Sequence, residues 1–226
     1  MQSQFNLAEG QPKRTIVILH GLWMNRAVMW PLAKRLGRAG FDCHLFGYNT
    51  RSPKAAIVQK LAAWLEQRQI KHPHFVGHSL GGLMIAHYFQ QYPPKAHQRV
   101  VLLASPINGS QVARQLAQFA PTRWAMGASY TESLASGASC WSYPPKTLMI
   151  AANRPRGPGR LIPHGLNKEN DGTVNLSETQ HPRLEQHIQT RSSHLFMVFH
   201  RHTAKLIAQY FGAQTLPQDK ALTRQE

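Results

Sequence analysis

The chain has 226 residues, 42% hydrophobic and 9% aromatic, enough for one domain with a single sizeable core and little beyond it. No apolar run reaches the ~18 residues of a membrane-spanning helix, which excludes one. Lys and Arg number 26 against 10 Asp and Glu, a net charge of +16 that attracts anions, yet the basic residues are scattered and form no nucleic-acid motif.

The opening MQSQFNLAEGQPKRTIVILHGL has no basic n-region followed by an apolar h-region, so no signal peptide is expected and the cytoplasm is the expected compartment. Thr15-Ile16-Val17-Ile18-Leu19 is a β-branched run ending at His20-Gly21, as a strand buried on both faces reads. A helix is predicted from Pro31 to Gly37 or Gly40, with proline in its first turn. Phe41 to Phe46 is the second strand, and Cys43 within it reads as a small buried thiol. With Cys140 it makes two cysteines, too few for a disulfide framework and without metal spacing.

Between Pro53 and Gln69, Ile57, Leu61, Trp64 and Leu65 recur at helical spacing. His74 to Val76 is the third strand, with a helix after it from Leu80 to Tyr92. Arg99 to Ala104 and Lys146 to Ala151 are the fourth and fifth strands, Glu185 to Thr190 the sixth. Leu195, Val198, Phe199, His202, Leu206 and Tyr210 mark a closing helix. This alternation predicts an α/β fold, a mostly parallel central sheet with helices on both faces. Residues 119–145, rich in Pro, Gly and Trp, break the rhythm as a small cap or lid would, and 153–170 form a second irregular stretch. One domain is expected over 1–214, with 215–226 a flexible tail.

Gly77-His78-Ser79-Leu80-Gly81 falls between the third strand and its helix. In that position G-x-S-x-G is a nucleophile elbow, a strained turn that projects the serine hydroxyl at the carboxyl end of the sheet. Glycines flank it because a Cβ there would collide with neighbouring backbone. The N–H of Leu80, at the helix N-terminus, points where an oxyanion would form. The bland alternative is a glycine-rich turn with an idle serine; the strand and helix on either side weigh against it.

GHSLGG together with the upstream ILHGL resembles the α/β-hydrolase superfamily, in particular small serine lipases and esterases. VVLLASPINGSQVA and NDGTVNLSET extend the likeness, which runs from about Thr15 to Phe211. It implies a triad in chain order serine, acid, histidine, with Ser79 the nucleophile. It assigns the second oxyanion donor to the N–H of Leu22 rather than Trp23, and leaves His20 a structural histidine bonded to loop backbone. For the acid, Glu169, Asp171, Glu178 and Glu185 follow the fifth strand. Asp171-Gly172-Thr173-Val174 matches the family's D-G-x-V placement, with Glu169 the alternative. His194, in a loop ahead of the closing helix, stands where the family places its base; His181 is the alternative, and His187, His200 and His202 fall in predicted strand or helix.

The function so implied is ester hydrolysis through an acyl-enzyme, with no metal or organic cofactor. Thioesterase or acyltransferase chemistry on the same residues is an alternative, as is a non-catalytic lipid-binding protein that keeps the fold. The expected substrate is a small ester or a lipid. Trp23 and Met24 are expected to line its acyl pocket, and Met29 and Trp30 either join them or pack helix on sheet. Arg154, Arg156, Arg160 and Lys168 crowd the loop leading to Asp171 and are expected to draw anionic lipid or an acidic ester substrate to the site, with peripheral contact to an anionic membrane surface; a solvated basic loop is the plainer reading. No specific nucleic-acid partner is expected.

Overall fold

The computed structural model describes residues 14–138, 142–144 and 146–212, so the expected tail and Cys140 lie outside the described residues. The apolar runs form six strands: β1 (Thr15–Leu19), β2 (Asp42–Phe46), β3 (His74–His78), β4 (Val100–Leu103), β5 (Thr147–Ala152) and β6 (Gln186–Thr190). They make one sheet in the order β2-β1-β3-β4-β5-β6, and each pairing is parallel. Around it lie α1 (Trp30–Arg38), α2 (Lys54–Gln67), α3 (Leu80–Gln91), α4 (Gln111–Leu116), α5 (Ala120–Met126) and α6 (Arg201–Gly212).

Successive side chains of a strand point to opposite faces, so the sheet builds two cores. Val17, Leu19, Phe75, Val100, Leu102 and Met149 pack with Leu61 of α2 and Leu83 of α3. Ile16, Ile18, Val76, Val101, Leu103 and Ile150 pack with Leu32 of α1 and Phe211 of α6. Burial on both faces is why β1, β4 and β5 read as unbroken apolar runs. Cys43 is half-buried against the second core, and burial followed by the Asp42 charge pushes its thiol up to about 12.

Four elements differ from the sequence reading, one of them α4, which forms where the sequence reading placed no element. Strand β3 continues to His78, past the expected end at Val76, so Ser79 comes directly off the strand. The stretch expected to be irregular from residue 119 contains α5, whose Pro121 sits in the first turn, where a missing N–H costs nothing. The closing helix is interrupted: a 3-10 turn spans Phe196–Phe199, His200 is extended (φ −81°, ψ 132°), and α6 begins at Arg201. Of the residues whose helical spacing marked this segment, Val198 and Tyr210 are buried while Leu195, Phe199 and His202 are exposed, so the spacing traces a core face only in part.

Several histidines are folded into this framework in the neutral form. His74 stacks on Phe211 at 5.0 Å, and burial, then the Arg14 and Arg99 guanidiniums, lower it to about 4. His78 is 1% exposed and lowered to about 3, first by burial and then by His194. Both bind protons more readily in the unfolded chain, near pH 6.5, than in the folded one. Stability is therefore undiminished above pH 6.5 and falls as pH drops towards 3–4, by about 1.4 kcal/mol per pH unit for fully buried His78 alone. Calorimetric melting from pH 7.5 to 4.5 should show Tm falling below pH 6.5, and His74→Phe should make that fall shallower.

Candidate active site

At the carboxyl end of β3 the chain reverses into α3 within one residue. Ser79 takes φ 53° and ψ −120°, a region that residues with a side chain rarely occupy and that costs about 1–3 kcal/mol. The turn closes because backbone meets backbone: a methyl on Gly77 would lie 2.6 Å from Gly82 Cα, and one on Gly81 2.6 Å from the Leu19 carbonyl oxygen. The Ser79 N–H is fixed by the Leu103 carbonyl at 2.9 Å, and the Ser79 hydroxyl makes no capping bond to α3. Leu80 follows as the first, fully buried residue of the helix.

The loop after β1 lies against this turn. A methyl on Gly21 would come within 3.2 Å of both Ser79 Cβ and Met24 Sδ. His20 is fully buried beneath the loop: its Nδ1–H donates to the Gly21 carbonyl at 3.0 Å, Nε2 accepts from the Tyr48 N–H at 3.4 Å, and the two rings stack. Burial keeps this imidazole neutral by lowering its pKa. The Trp23 N–H is taken by Thr50 Oγ1 at 3.3 Å, which favours the N–H of half-buried Leu22 as the one available to a ligand. Trp23 has φ 56°, is 56% exposed, and donates its indole N–H to the Ala125 carbonyl at 3.0 Å. Met24, less exposed than Trp23, lies beside Gly21. Met29 is fully buried in the second core, where it packs helix on sheet, and Trp30 is exposed under Lys34.

Asp171 and His194 meet on the loops after β5 and β6. His194 Nδ1–H donates to Asp171 Oδ2 at 2.7 Å, and the His194 N–H donates to the Asp171 carbonyl at 3.0 Å. The other carboxylate oxygen accepts from the N–H groups of Thr173 (2.9 Å) and Val174 (2.7 Å). Gly172 completes this turn at φ 94°, pressed against the backbone of Arg156 and Gly157. Nδ1 of His194 being the donor, its Nε2 is the nitrogen left to act as base.

The other carboxylates are engaged elsewhere. Glu178 is buried, accepting from the Gln111 N–H at 2.6 Å and the Asn175 N–H at 3.0 Å; burial raises its pKa against those bonds. Glu185 accepts from the Tyr210 hydroxyl at 2.6 Å, and Glu169 is exposed. Of the other histidines, His187 shares a 2.9 Å bond with Thr179 Oγ1, His181 accepts from the Arg183 N–H at 3.1 Å, and His200 and His202 are exposed. A polar cleft of about 430 Å³ between Asn108, Arg114, His164 and Glu178 includes none of Ser79, Asp171 and His194.

The sequence reading passed over His78. Its ring lies 4.8 Å from that of His194, and its Nε2–H donates to the His194 carbonyl at 2.9 Å. Its Nδ1 is buried with no hydrogen-bond partner among the described residues. The partner lies 116 positions away, so nothing local signals the contact. A histidine in a buried turn between glycine and serine was the one available hint. Among the described residues no cluster of three His, Cys, Asp or Glu is arranged to hold a metal ion, and no helix is long and apolar enough to cross a membrane.

A search of curated proteins finds no match. The sequence profile of the alpha/beta hydrolase fold matches residues 14–131. Among solved structures, the mature Bacillus licheniformis lipase BlEst2 superimposes with a TM-score of 0.69 at 19% identity, over 88% of this chain and 92% of that one. The esterase EaEST from Exiguobacterium antarcticum gives 0.62 at 12% identity (88% and 92%). The monoacylglycerol lipase of Paleococcus ferrophilus gives 0.56 at 15% (87% and 94%). At such identities the likeness is one of fold, and with the profile match over half its length the chain belongs to the α/β-hydrolase fold family.

Proposed function

We propose that this hydrolase cleaves carboxylic esters with Ser79 as nucleophile, His194 as base and Asp171 as orienting acid. The observation that carries the reading is the 2.7 Å bond from His194 Nδ1 to Asp171, which leaves Nε2 as acceptor in a loop tied to the Ser79 turn through His78. Ser79 Oγ attacks the acyl carbon while His194 Nε2 takes its proton. Asp171 holds the ring and stabilises the imidazolium. The N–H groups of Leu22 and Leu80 bind the tetrahedral oxyanion. His194 returns the proton to the departing alkoxide, leaving Ser79 acylated. Water then attacks the acyl-enzyme by the same proton path, releasing the acid and restoring the serine. Lipase and esterase names among the structural neighbours support an ester as substrate. Trp23 and Met24 flank the entrance to the acyl site.

A fluorophosphonate probe located by mass spectrometry tests the nucleophile, and p-nitrophenyl esters of graded chain length test the reaction. The adduct is expected on Ser79. Ser79→Ala and His194→Ala should each lower kcat by about 10⁴-fold or more. Labelling at another serine, or undiminished turnover in Ser79→Ala, overturns the assignment. Thioester turnover far above ester turnover would move the substrate class while keeping the residues.

His78 acts as a positioning residue in this scheme. His78→Phe loses the donor to the His194 carbonyl and should lower kcat by about 3- to 10-fold with KM little changed, the size of one lost hydrogen bond. His78→Gln, which can restore a donor, should recover most of that loss. Steady-state kinetics on both variants checks the pair.

A further inference from the structure

We infer that the edge of the sheet carrying Ser79 docks on an anionic lipid surface. In a parallel sheet all connections after the strands leave by one edge, and here that edge holds almost all the exposed large apolar side chains. Trp23 follows β1, Leu161 (84% exposed) follows β5, and Leu195 and Phe196 (65%) follow β6. Phe119 (63%) and Trp124 (70%) belong to the insertion between β4 and β5. That insertion is bound to the same edge. The Ala128 N–H donates to the Arg51 carbonyl at 3.1 Å, Glu132 accepts from the Lys54 N–H at 2.7 Å, and Trp23 reaches the Ala125 carbonyl. Tyr92, by contrast, lies at the far end of α3.

Charge identifies the occupant. Arg51, Arg123, Arg154, Arg156, Arg160 and Lys168 are all exposed on these same loops, and Glu169 is the one exposed carboxylate beside them among the described residues. The opposite edge also exposes cations, Arg14, Lys71, Lys95, Lys146 and Arg183, but sets them among the other exposed carboxylates, Asp42 at the start of β2, Glu66 at the end of α2 and Glu185 ahead of β6, so the two edges differ in their balance of charge. Arg154, Arg156 and Arg160 make no ion pair among the described residues. An edge that offers apolar tips between unpaired guanidiniums fits a bilayer of anionic phospholipid: acyl chains receive the apolar tips and phosphates the cations. A nucleic acid would use the cations and leave Leu161 and Phe196 without a role.

The experiment is vesicle co-sedimentation of the full chain at 0.1 M and 0.5 M NaCl, with pure phosphatidylcholine or with 30% phosphatidylglycerol. The Ser79→Ala protein is run in parallel, so that docking is read independently of any hydrolysis. Binding to phosphatidylglycerol vesicles, weakened by salt, with about tenfold or more preference over phosphatidylcholine is expected in both proteins. Arg154→Gln/Arg156→Gln/Arg160→Gln should weaken it by about tenfold or more. Leu161→Ser/Phe196→Ser should weaken it too, with unchanged melting temperature. Equal binding to both vesicle types, or none, overturns the inference. So does duplex DNA that binds as tightly as the vesicles and is held equally by the Leu161→Ser/Phe196→Ser protein, since the edge is then a general polyanion surface. If the apolar variant melts lower, the arginine variant decides alone.

Discussion

The turn at Ser79 exists only where two backbones can touch. Gly77 meets Gly82 across the bend, and Gly81 meets the carbonyls of Leu19 at the end of β1 and His20 just after it, each at a distance that no Cβ could share. These contacts fix the start of α3 relative to both β3 and the loop after β1. The N–H of Leu80 and the Gly21-Leu22 segment are thereby brought to one small volume beside the serine. A positive φ in a residue bearing a side chain is strain, and here the surrounding sheet over-determines it. The Leu103 carbonyl on β4 holds the Ser79 N–H, so β1, β3 and β4 all constrain the same residue.

His194 is attached to that turn by a bond from the turn itself. His78 points away from solvent, and its Nε2–H reaches the His194 carbonyl, so the loop after β6 is registered on the elbow rather than only on its own strand. The arrangement requires His78 neutral with the proton on Nε2, and burial supplies that state. One nitrogen is left without a partner among the described residues as a result, a cost of about 1–3 kcal/mol for a buried acceptor. His20 solves a similar problem without that cost: Gly21 and Tyr48 between them satisfy both its ring nitrogens.

The sheet was legible in the sequence because its strands are buried on both faces and read as apolar runs, and the succession of strands needed nothing more. The elbow was legible because its chemistry is local: a serine among glycines between a strand and a helix. The turn that holds Asp171 was legible for the same reason, its carboxylate being bonded by Thr173 and Val174 within the DGTV segment. Helix α5 was missed because Pro121 reads as a breaker unless its position in the first turn is known. His78 was missed because its role depends on a residue 116 positions away. Long-range contacts leave no periodicity.

The basic loop before Asp171 separates two demands that the sequence had merged. What holds the Asp171 turn is backbone: the Gly159 N–H donates to the Gly172 carbonyl at 2.9 Å, the Arg154 N–H to the Ser192 carbonyl at 2.8 Å, and Gly172 lies against Arg156 and Gly157. Gly172 must be glycine on grounds of φ, and a methyl on Gly157 would sit 2.7 Å from the Gly172 oxygen. The guanidiniums of Arg154, Arg156 and Arg160 take no part in this, since they point to solvent and form no ion pair among the described residues. Any residue with an N–H could hold those backbone positions. The geometry of the Asp171 turn therefore explains the glycines of the loop and not its arginines, whose charge faces solvent.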